Sequence, residues 1–328
     1  MKKIDLYFDP SYAKIYEKSE GKSETFFFEC THGKIQNTFI LRPIKWKIDG
    51  KTYYDAVTPY GYGGPIILEC NDIDGLIDEY KAAFSKYCIE NNIVCEFIRF
   101  HLFDNVDFRE KYYGNAFCVL DNVIVDTTVP YEDIWMQYEH KVRKNVKKAQ
   151  SNGLSVIIEN GTAHLDDFLA IYKSTMDRNN AQDYYYFPKE YFEDIAKYLP
   201  ENYVYFHVEY EGKIIATELV LCSDNYAYSF LGGTFDDYYS LRPNDLLKDA
   251  VIKWCSETGR SKFILGGGYQ KEDGIYRYKR SFTKADDVPF YIGSGIFDKA
   301  AYDYFVECRA KEDSEFDKES RFFPLYRA

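Results

Sequence analysis

Strand-like and helix-like segments alternate along the chain, and this alternation constrains the fold more than any other feature. An apolar face at helical spacing covers 73–91, between a short apolar strand that ends at Leu68 and a strand over 93–103. The same succession returns later, where a helix over 244–258 precedes a strand over 261–265. Hairpin signals accompany the helices, so the pattern predicts an α+β fold with mixed sheets.

The length of the chain favours two domains, because 328 residues is about twice the usual domain size of roughly 150 residues. One long helix is predicted over 131–151, and Asn152-Gly153 is an ordinary helix stop. We therefore predict one domain over 1–153, which ends in this helix, and a second over 154–328. The charged tail from residue 306 is expected to be peripheral.

The composition excludes several classes of protein. With 41 basic and 53 acidic side chains the net charge is −12, which argues against DNA as a partner and against any broad nucleic-acid surface. The eight cysteines include no Cys-x-x-Cys pair and the five histidines are scattered, so no disulfide framework and no metal site is predicted. No segment approaches the roughly 20 apolar residues of a transmembrane span. A cytoplasmic protein without a transmembrane segment is expected.

One basic run stands out against this acidic background. Five positive charges lie within Lys141–Lys148. On a helix, Arg143 and Lys147 share one face, as do Lys144 and Lys148. The helix dipole favours cations near a C-terminus, which would explain the run without any ligand. The other interpretation is a patch for the phosphates of a tRNA or of a nucleotide co-substrate.

Two glycine-rich turns are further candidates for ligand contact, since glycine lets a backbone approach a ligand closely. The first is either a tight turn or a substrate-lining one, and it contains Tyr60, Gly61, Tyr62, Gly63 and Gly64. The second follows a strand and contains Gly266, Gly267 and Gly268. Alternation beyond it predicts a strand that directs Tyr276 and Tyr278 to one side and Lys279 to the other.

A series of motifs, mainly over 140–295, resembles the FemAB/FemX-like branch of the GNAT acyltransferases in order and spacing. The segments that carry the resemblance are Arg143 to Gly153, Met176-Asp177-Arg178, Tyr186-Phe187, Tyr191-Phe192, Gly212 to Ala216, Tyr228 to Gly233, Arg242 to Leu247, Leu265 to Gly268, and Asp273 to Phe282.

The resemblance implies two GNAT-like domains in tandem, packed together, with an acceptor cleft in or beside the first. It also implies amide formation, in which an amine attacks an activated acyl ester or thioester. We expect an N-acyltransferase that uses acyl-CoA or a similar donor as co-substrate, with no permanently bound cofactor. The alternative is an aminoacyl-tRNA-dependent transferase that builds peptidoglycan bridges on a cell-wall precursor, with tRNA as a partner. A second alternative is an inactive GNAT-like binding module.

Two features depart from the pattern of this family. The peptidoglycan branch usually has Asp-Pro where this sequence reads Arg99-Phe100-His101-Leu102. The pyrophosphate loop of standard GNAT enzymes, Gln/Arg-x-x-Gly-x-Gly/Ala, is absent before Asn244. A standard CoA site is therefore weakened, although a helix N-terminus beside Arg242 can still bind phosphate.

Amide formation needs a proton acceptor for the amine, donors for the oxyanion and stabilisation of the leaving group. His101 is a candidate base because the reference pKa of histidine is near 6.5 and because the resemblance places an acceptor-site acid there. Glu218 is a second candidate because it interrupts an apolar strand, and Asp126 is a weaker third. The resemblance gives Lys279 a leaving-group or phosphate contact. Each of these residues also has a purely structural interpretation.

The remaining predicted site residues fall into two groups. Those predicted to bind substrate are Tyr60, Gly61, Tyr62, Gly63, Gly64, Arg99, Tyr276 and Tyr278. Those predicted to bind phosphate or donor are Arg143, Lys144, Lys147, Arg242, Asn244, Gly266, Gly267 and Gly268.

Overall fold

The computed structural model describes residues 4–328, in which strands and helices follow one another much as the hydrophobic pattern predicts. The strands are β1 (Lys22–Cys30), β2 (Gly33–Ile48), β3 (Lys51–Val57), β4 (Ile66–Cys70), β5 (Ile93–Arg99), β6 (Asn115–Asp126), β7 (Ser155–Glu159), β8 (Tyr203–Tyr210), β9 (Lys213–Cys222), β10 (Tyr226–Thr234), β11 (Lys262–Gly266) and β12 (Val288–Ile296). The helices are α1 (Pro10–Lys14), α2 (Ile73–Glu90), α3 (Val106–Glu110), α4 (Tyr131–Gln137), α5 (His140–Ser151), α6 (Leu165–Arg178), α7 (Lys189–Tyr198), α8 (Pro243–Glu257), α9 (Gly274–Arg280) and α10 (Lys299–Glu312). Short 3₁₀ helices cover Leu6–Phe8, Asp183–Tyr185, Asp236–Leu241 and Leu325–Arg327.

The chain divides into two compact units. Unit 1 holds the described residues up to Val119 together with Pro289–Ala328, and unit 2 holds Leu120–Val288. The boundary predicted between 153 and 154 differs from this division and lies inside unit 2. The reason is that Val142 and Val146 of α5 share a hydrophobic core with Val251 of α8, so the basic helix packs with the segment that follows it.

Unit 1 contains strands in the order β1-β2-β3-β5-β12, with β4 paired to β2. Neighbours are antiparallel except β3 and β5, which are parallel and are connected through β4 and α2. The helix α2 buries Leu76, Tyr80 and Phe84, which pack with Phe39 and Ile98 of the strands. The predicted apolar face of this helix is therefore its core face.

Unit 2 repeats this arrangement with strands in the order β7-β8-β9-β10-β11-β6. Neighbours are again antiparallel except one pair, β10 and β11, which is joined by a helical crossover through α8. In both units a hairpin is followed by a helix and then by a strand parallel to the second hairpin strand. An antiparallel strand pairs with the other edge of this parallel strand. The predicted α+β class with mixed sheets is confirmed.

The pairing of β10 with β11 stops while β10 continues. It joins Tyr226 to Lys262 and ends at Tyr228 and Ile264. Beyond that point β10 has a bulge between Ser229 and Leu231 and stays paired with β9 as far as Thr234. A bulge bends the strand that carries it. The two parallel strands therefore form a fork beside α8.

Helices cover both faces of the unit 2 sheet, because successive strand residues point to opposite sides. Phe206 of β8 belongs to the core that α5 and α8 complete. The next residue back, Tyr205, packs instead on Phe168 of α6, with ring centroids 5.1 Å apart. The fork thus lies between a face covered by α8 and a face covered by α6.

The helix predicted over 131–151 is wrong as one element, since it is interrupted between α4 and α5. Tyr138 and Glu139 have extended backbone there, with ψ near 145°. The interruption buries the ring of Tyr138, whose hydroxyl donates to Asp249 Oδ1 at 3.1 Å. Burial of this ring against α8 outweighs continued helical hydrogen bonding.

Two further expectations are wrong. The segment 276–279 is not a strand but belongs to the helix α9, because the Asp273 carboxylate caps it by accepting from Tyr276 N at 2.8 Å. The tail is not peripheral, since Tyr326 is 2% exposed and Arg327 Nε donates to the buried Asp55 carboxylate at 2.6 Å. Within residues 4–328, no helix combines the length and the hydropathy that crossing a bilayer requires.

Candidate functional site

A cleft of about 320 Å³ lies at the fork between β10 and β11. We call it the fork cleft. A glycine is required on its wall, because a Cβ at Gly233 would lie 2.3 Å from Thr175 Oγ1 of α6. The polar and charged side chains that line it include Arg178, Glu218, Ser229, Tyr239, Lys248 and Tyr278.

The floor of the fork cleft carries a buried ion pair. Lys248 Nζ of α8 donates to Glu218 Oε1 of β9 and also to Ser229 Oγ of β10 at 2.6 Å. Ser229 Oγ in turn donates to Glu218 Oε1 at 2.6 Å. The other carboxylate oxygen, Glu218 Oε2, is buried without a hydrogen-bond partner. One half of this carboxylate is therefore held in place while the other half is available to a ligand.

Tyr278 contributes a second buried polar atom without a partner. It extends from α9 into the cleft, and its hydroxyl makes no hydrogen bond. Burial, followed by the negative charges of Asp245 and Glu218, raises the pKa of Tyr278 well above 10. The hydroxyl therefore keeps its proton at neutral pH and can act as a donor.

Lys279, the next residue of α9, lies close to the ion pair of Lys248 and Glu218. Its Nζ donates to the carbonyl oxygen of Gly267 at 2.6 Å. Burial, with repulsion from Lys248 in second place, lowers the pKa of Lys279 to about 8, although Glu218 and Asp273 act in the opposite sense. A substantial neutral fraction thus exists near physiological pH, which is uncommon for lysine.

A second cavity, of about 630 Å³, lies at the N-terminal end of α8. Three exposed cations line it: Lys141 of α5, Arg242 before α8, and Arg277 of α9. Asn145 and the buried Asp245 lie between them and are joined by a hydrogen bond of 3.3 Å. We call this space the cationic cavity.

The two cavities have three lining residues in common, Tyr239, Asn244 and Tyr278. Asn244 is held by a hydrogen bond from Thr234 Oγ1 at the end of β10. Arg242 takes a left-handed backbone conformation, with φ of 67°, and Pro243 begins the helix. Since proline has no N–H, the attraction for an anion here comes mainly from the cations and less from the helix N-terminus.

The predicted donor-binding residues divide between this region and other roles. Arg242 and Asn244 line the cationic cavity. Arg143 does not, since its guanidinium donates to the carbonyl oxygens of Met136 and Tyr138 and so joins α5 to α4. Lys144 and Lys147 are exposed on α5 and do not line this cavity.

The second glycine turn is explained by local packing. Gly266 has a φ of 79°, a Cβ at Gly267 would lie 2.9 Å from Asp121 O, and one at Gly268 would lie 2.3 Å from Asp273 Oδ1. The turn therefore allows β11 to pass close to β6 and to reach the cap of α9. Its contribution to the site is the Gly267 carbonyl that accepts from Lys279.

The first glycine turn lies in unit 1 and is also tightly packed. A Cβ at Gly61 would lie 2.5 Å from the Tyr7 ring, and one at Gly64 would lie 2.7 Å from Ile98. Gly63 O accepts from Asn105 Nδ2 at 2.8 Å. Tyr62 is buried, and Tyr60 O accepts from the hydroxyl of Tyr12 at 2.6 Å.

His101, the predicted base, also lies in unit 1, and its contacts give it a structural role. Its ring is 1% exposed, and Nδ1 accepts from the backbone N–H groups of Phe103 and Asp104 at 3.3 and 3.0 Å. Burial lowers the pKa of His101 to about 4, against attraction by Asp104. Arg99 likewise donates to Thr58 O at 3.0 Å. We do not retain either residue in the proposed site.

Two other predicted residues have hydrogen-bond partners in unit 2. Tyr276 donates from its hydroxyl to Asp287, so it differs from Tyr278, which lies two residues further along the same helix. Asp126 accepts from Thr128 N at 2.9 Å and from its hydroxyl at 2.6 Å, as expected of a turn. Of the predicted residues, Glu218, Asn244 and Tyr278 line the fork cleft, and Arg242 lines the cationic cavity. Lys279 lines neither cavity but is close enough to Glu218 for their charges to interact.

Sequence reasoning missed Lys248 and Arg277, and it included Lys141 in the basic run but not among the predicted donor-binding residues. Lys248 follows Leu247 of the buried helical stripe, and an isolated lysine in that position resembles an ordinary helix-surface residue. Lys141 and Asn145 are four residues apart and so share a helical face, a signal that was present in the basic run. Arg277 was hidden because its segment was interpreted as a strand.

Comparison with known proteins defines the class to which this site belongs. Residues 137–280 match the family model of a GNAT acetyltransferase domain. The match covers less than half of the chain, and it includes every residue that lines the fork cleft and all but Ser281 of those that line the cationic cavity. A search of the curated proteins finds no match to this sequence.

Solved structures extend the likeness over most of the chain. FemX is similar with a TM-score of 0.69 at 12% identity, covering 90% of this chain and 92% of that one. L-PGS from Bacillus licheniformis is similar with a TM-score of 0.51 at 13% identity, covering 92% and 94%. At these identities the likeness concerns the fold. It confirms the predicted resemblance to FemX at the level of the fold, while the GNAT family model matches a segment within unit 2.

Proposed function

We propose that this protein is an N-acyltransferase that forms an amide from an activated acyl donor and an amine. One observation carries the proposal: the fork cleft contains two buried polar atoms without partners, Glu218 Oε2 and Tyr278 Oη, and it adjoins a cavity lined by three cations. Unpartnered buried polar atoms are costly in a fold, and a ligand that pairs with them offsets the cost.

The donor would occupy both cavities. Its phosphates would lie among Lys141, Arg242 and Arg277, where Coulomb attraction is available from three sides. Its acyl end would pass Tyr239 and Asn244 and reach the fork cleft. Beyond Tyr228, β10 is not paired with β11, and Ser229 and Gly233 of this part line the fork cleft that the acyl end would enter.

The residues at the acyl end fit the needs of acyl transfer. The amine nitrogen attacks the acyl carbon and forms the C–N bond, while the carbonyl oxygen becomes an oxyanion that the Tyr278 hydroxyl stabilises. The amine proton passes to Glu218 Oε2, directly or through a water, and the bond to the leaving group then breaks. The leaving group departs as an anion beside the Lys279 ammonium or takes a proton from it. The products are the amide and the released carrier.

The sharpest test is Tyr278→Phe, because the hydroxyl that it removes has no partner in the fold. We expect unchanged thermal stability and a loss of roughly 10²–10³ in the rate of amide formation, as for loss of one oxyanion donor. The assay incubates the protein with acetyl-CoA or alanyl-tRNA and a panel of primary amines, and detects the amide by mass spectrometry.

Tyr198→Phe is the matched control, since its hydroxyl only accepts from Lys197 at the surface of α7. Full activity in a folded Tyr278→Phe variant would remove Tyr278 from the mechanism. Activity lost equally in both variants would show that the assay does not report on the fork cleft.

A second candidate donor, aminoacyl-tRNA, is favoured by a specific observation. Lys144, Lys147 and Lys148 are exposed on α5, outside the cationic cavity that the same helix helps to form. A CoA molecule held in that cavity would not need them, whereas a tRNA backbone extends far enough to use them. FemX has this fold as well. The acceptor in this case would be a cell-wall precursor, as the branch implies.

Charge variants distinguish the two donors. Arg242→Ala with Arg277→Ala should weaken binding of either donor by at least tenfold. The triple variant Lys144→Ala, Lys147→Ala, Lys148→Ala should weaken tRNA binding alone and reduce its salt dependence. Thermal shift with CoA, acetyl-CoA, charged tRNA and uncharged tRNA measures both. Stabilisation by none of the four would favour an inactive GNAT-like binding module.

A further inference from the structure

Three residues converge at the edge of unit 2 opposite the fork, of which one lies more than 40 positions from the other two in the sequence. Glu159 ends β7, His164 is the N-cap residue of α6, and His207 lies on β8. The carboxylate and the two imidazoles each direct one ligand-type atom into the same space, and these atoms all lie within 4.8 Å of one another. Five histidines scattered along the sequence gave no sign of this cluster, because β-pairing and a helix start bring it together.

One atom of this cluster has no hydrogen-bond partner. His207 is 1% exposed, and its Nδ1 lies 2.8 Å from Thr217 Oγ1, which fixes the orientation of the ring. Its other nitrogen, Nε2, is buried without a partner and faces Glu159 Oε2 at 3.8 Å. This distance exceeds that of a hydrogen bond, so the buried ring nitrogen remains unsatisfied.

The carboxylate is oriented toward the same space. Glu159 Oε1 accepts from the backbone N–H of Ala163 at 2.5 Å and from that of His164 at 3.4 Å. These bonds leave Oε2 directed at the two imidazoles, with His164 Nδ1 at 2.5 Å. The Glu159 carboxylate and the His207 ring are therefore each oriented through the atom that does not face the cluster, as is usual around metal ligands.

We propose that Glu159, His164 and His207 bind a divalent transition metal, for which zinc is the expected ion. Two imidazoles with one carboxylate form a common zinc donor set, and three protein ligands leave a fourth position for water. In tetrahedral zinc sites the ligand atoms are roughly 3.3 Å apart, given bonds of about 2.0–2.1 Å. On binding, the contact of Glu159 with His164 would lengthen from 2.5 Å and that with His207 would shorten from 3.8 Å.

The site can be reached from solvent, and a hydrogen bond from a neighbouring side chain orients one of its ligands. His164 is partly exposed, with 35% of its side chain accessible, so an ion can reach the cluster from solvent. When Nδ1 of His207 donates to Thr217, the lone pair of Nε2 is free for the metal.

The metal would serve the fold and not the proposed acyl transfer. It would join the end of β7, the start of α6 and the middle of β8. The opposite end of α6 carries Thr175 and Arg178 at the fork cleft, roughly 20 Å away at 1.5 Å per helical residue. None of the three ligands lines either cavity, although Thr217, which contacts His207, also lines the fork cleft. Binding of the ion can be tested without any activity assay.

The test uses the full chain, stripped with a chelator that is then removed, under reducing conditions. Zn²⁺ binding is measured by titration calorimetry, and Co²⁺ is used as a probe that absorbs visible light when it is coordinated tetrahedrally. We expect one equivalent of Zn²⁺ and a Co²⁺ band in the wild type. His164→Ala should lose the band and weaken Zn²⁺ binding by at least tenfold, and Thr217→Val should weaken it by about 10–100-fold.

His140→Ala is the matched control, because His140 is exposed on α5 and lies outside the cluster. It should bind Zn²⁺ as the wild type does. Absence of binding by the folded wild type would overturn the proposal. So would equal binding by the wild type and His164→Ala, since the metal would then be held elsewhere, for instance by cysteine thiols. His207→Asn is a secondary variant, because the buried ring also packs on Tyr205.

Discussion

The pH dependence of stability should reveal the buried ammonium of Lys279. Its pKa is lowered from an ordinary value near 10.5 to about 8, chiefly by burial. The unfolded chain therefore holds this proton more firmly than the folded one does. Stability rises with pH wherever the unfolded state binds more protons, which for this group is the window from about pH 8 to 10.5. Below pH 8 the buried ammonium lowers the free energy of unfolding by its full amount.

The size of the effect follows from these two pKa values. With 1.36 kcal/mol per tenfold change, the penalty of Lys279 is about 3 kcal/mol at pH 7 and falls to roughly 1.4 kcal/mol at pH 9.5. Lys279→Met lacks the titrating group and keeps most of the side-chain volume. The wild type should therefore gain about 2 kcal/mol relative to Lys279→Met between these two pH values. Other titrating groups occur in both proteins and cancel in this difference.

Urea denaturation followed by tryptophan fluorescence at pH 7 and pH 9.5 measures this difference. Lys253→Met is the matched control, since this α8 lysine is about half exposed and pairs with Glu257 only at 3.8 Å. Its relative stability should change by less than about 0.5 kcal/mol. If Lys279→Met and wild type keep the same difference at both pH values, Lys279 is not held in a desolvated environment. A gain by the variant with rising pH would reverse the sign and refute the reasoning.

Three further predictions concern stability. Glu218→Gln should lower the free energy of unfolding by about 3–5 kcal/mol, because it leaves Lys248 as a buried, unpaired charge. The double variant Glu218→Leu with Lys248→Met should recover most of this loss. Chemical denaturation measures the stability of both variants. Gly233→Ala should cost about 1–3 kcal/mol, since its Cβ would lie 2.3 Å from Thr175 Oγ1, and a Tm equal to wild type would contradict this packing. Asp55→Asn should lower the Tm by several degrees, because the fully buried carboxylate pairs with two arginines and the variant leaves both less satisfied.

Local patterns were sufficient for much of the fold. The apolar stripe of α2 and the alternation of the paired strands follow directly from side-chain periodicity, which burial preserves. The break after Gln137 could not be predicted in this way, because the gain from burying Tyr138 against Asp249 depends on a helix more than 100 residues later. The helix α9 was missed although its cap, Asp273, stands at the right spacing before Tyr276.

The candidate site was only partly predictable for the same reason. Glu218 could be identified because a carboxylate in an apolar strand demands a partner, but nothing nearby in the sequence identifies that partner as Lys248. The chemistry of Tyr278 depends on the absence of a hydrogen bond, which only a structure can show. His207 is the extreme case, since its neighbours in space are 43 and 48 residues away in the chain.

Unit 2 lies in the sequence between the two segments of unit 1, and this order has a consequence for synthesis on the ribosome. All of unit 2 emerges before β12, the strand that pairs with β5 through Ile292 to Ile296. At roughly 5–20 residues per second, the edge of β5 remains without its partner for roughly 10–40 seconds. An unpaired strand edge can join another chain during that interval. Unit 2 can complete its sheet first, whereas the nascent first unit depends on the last segment to be made.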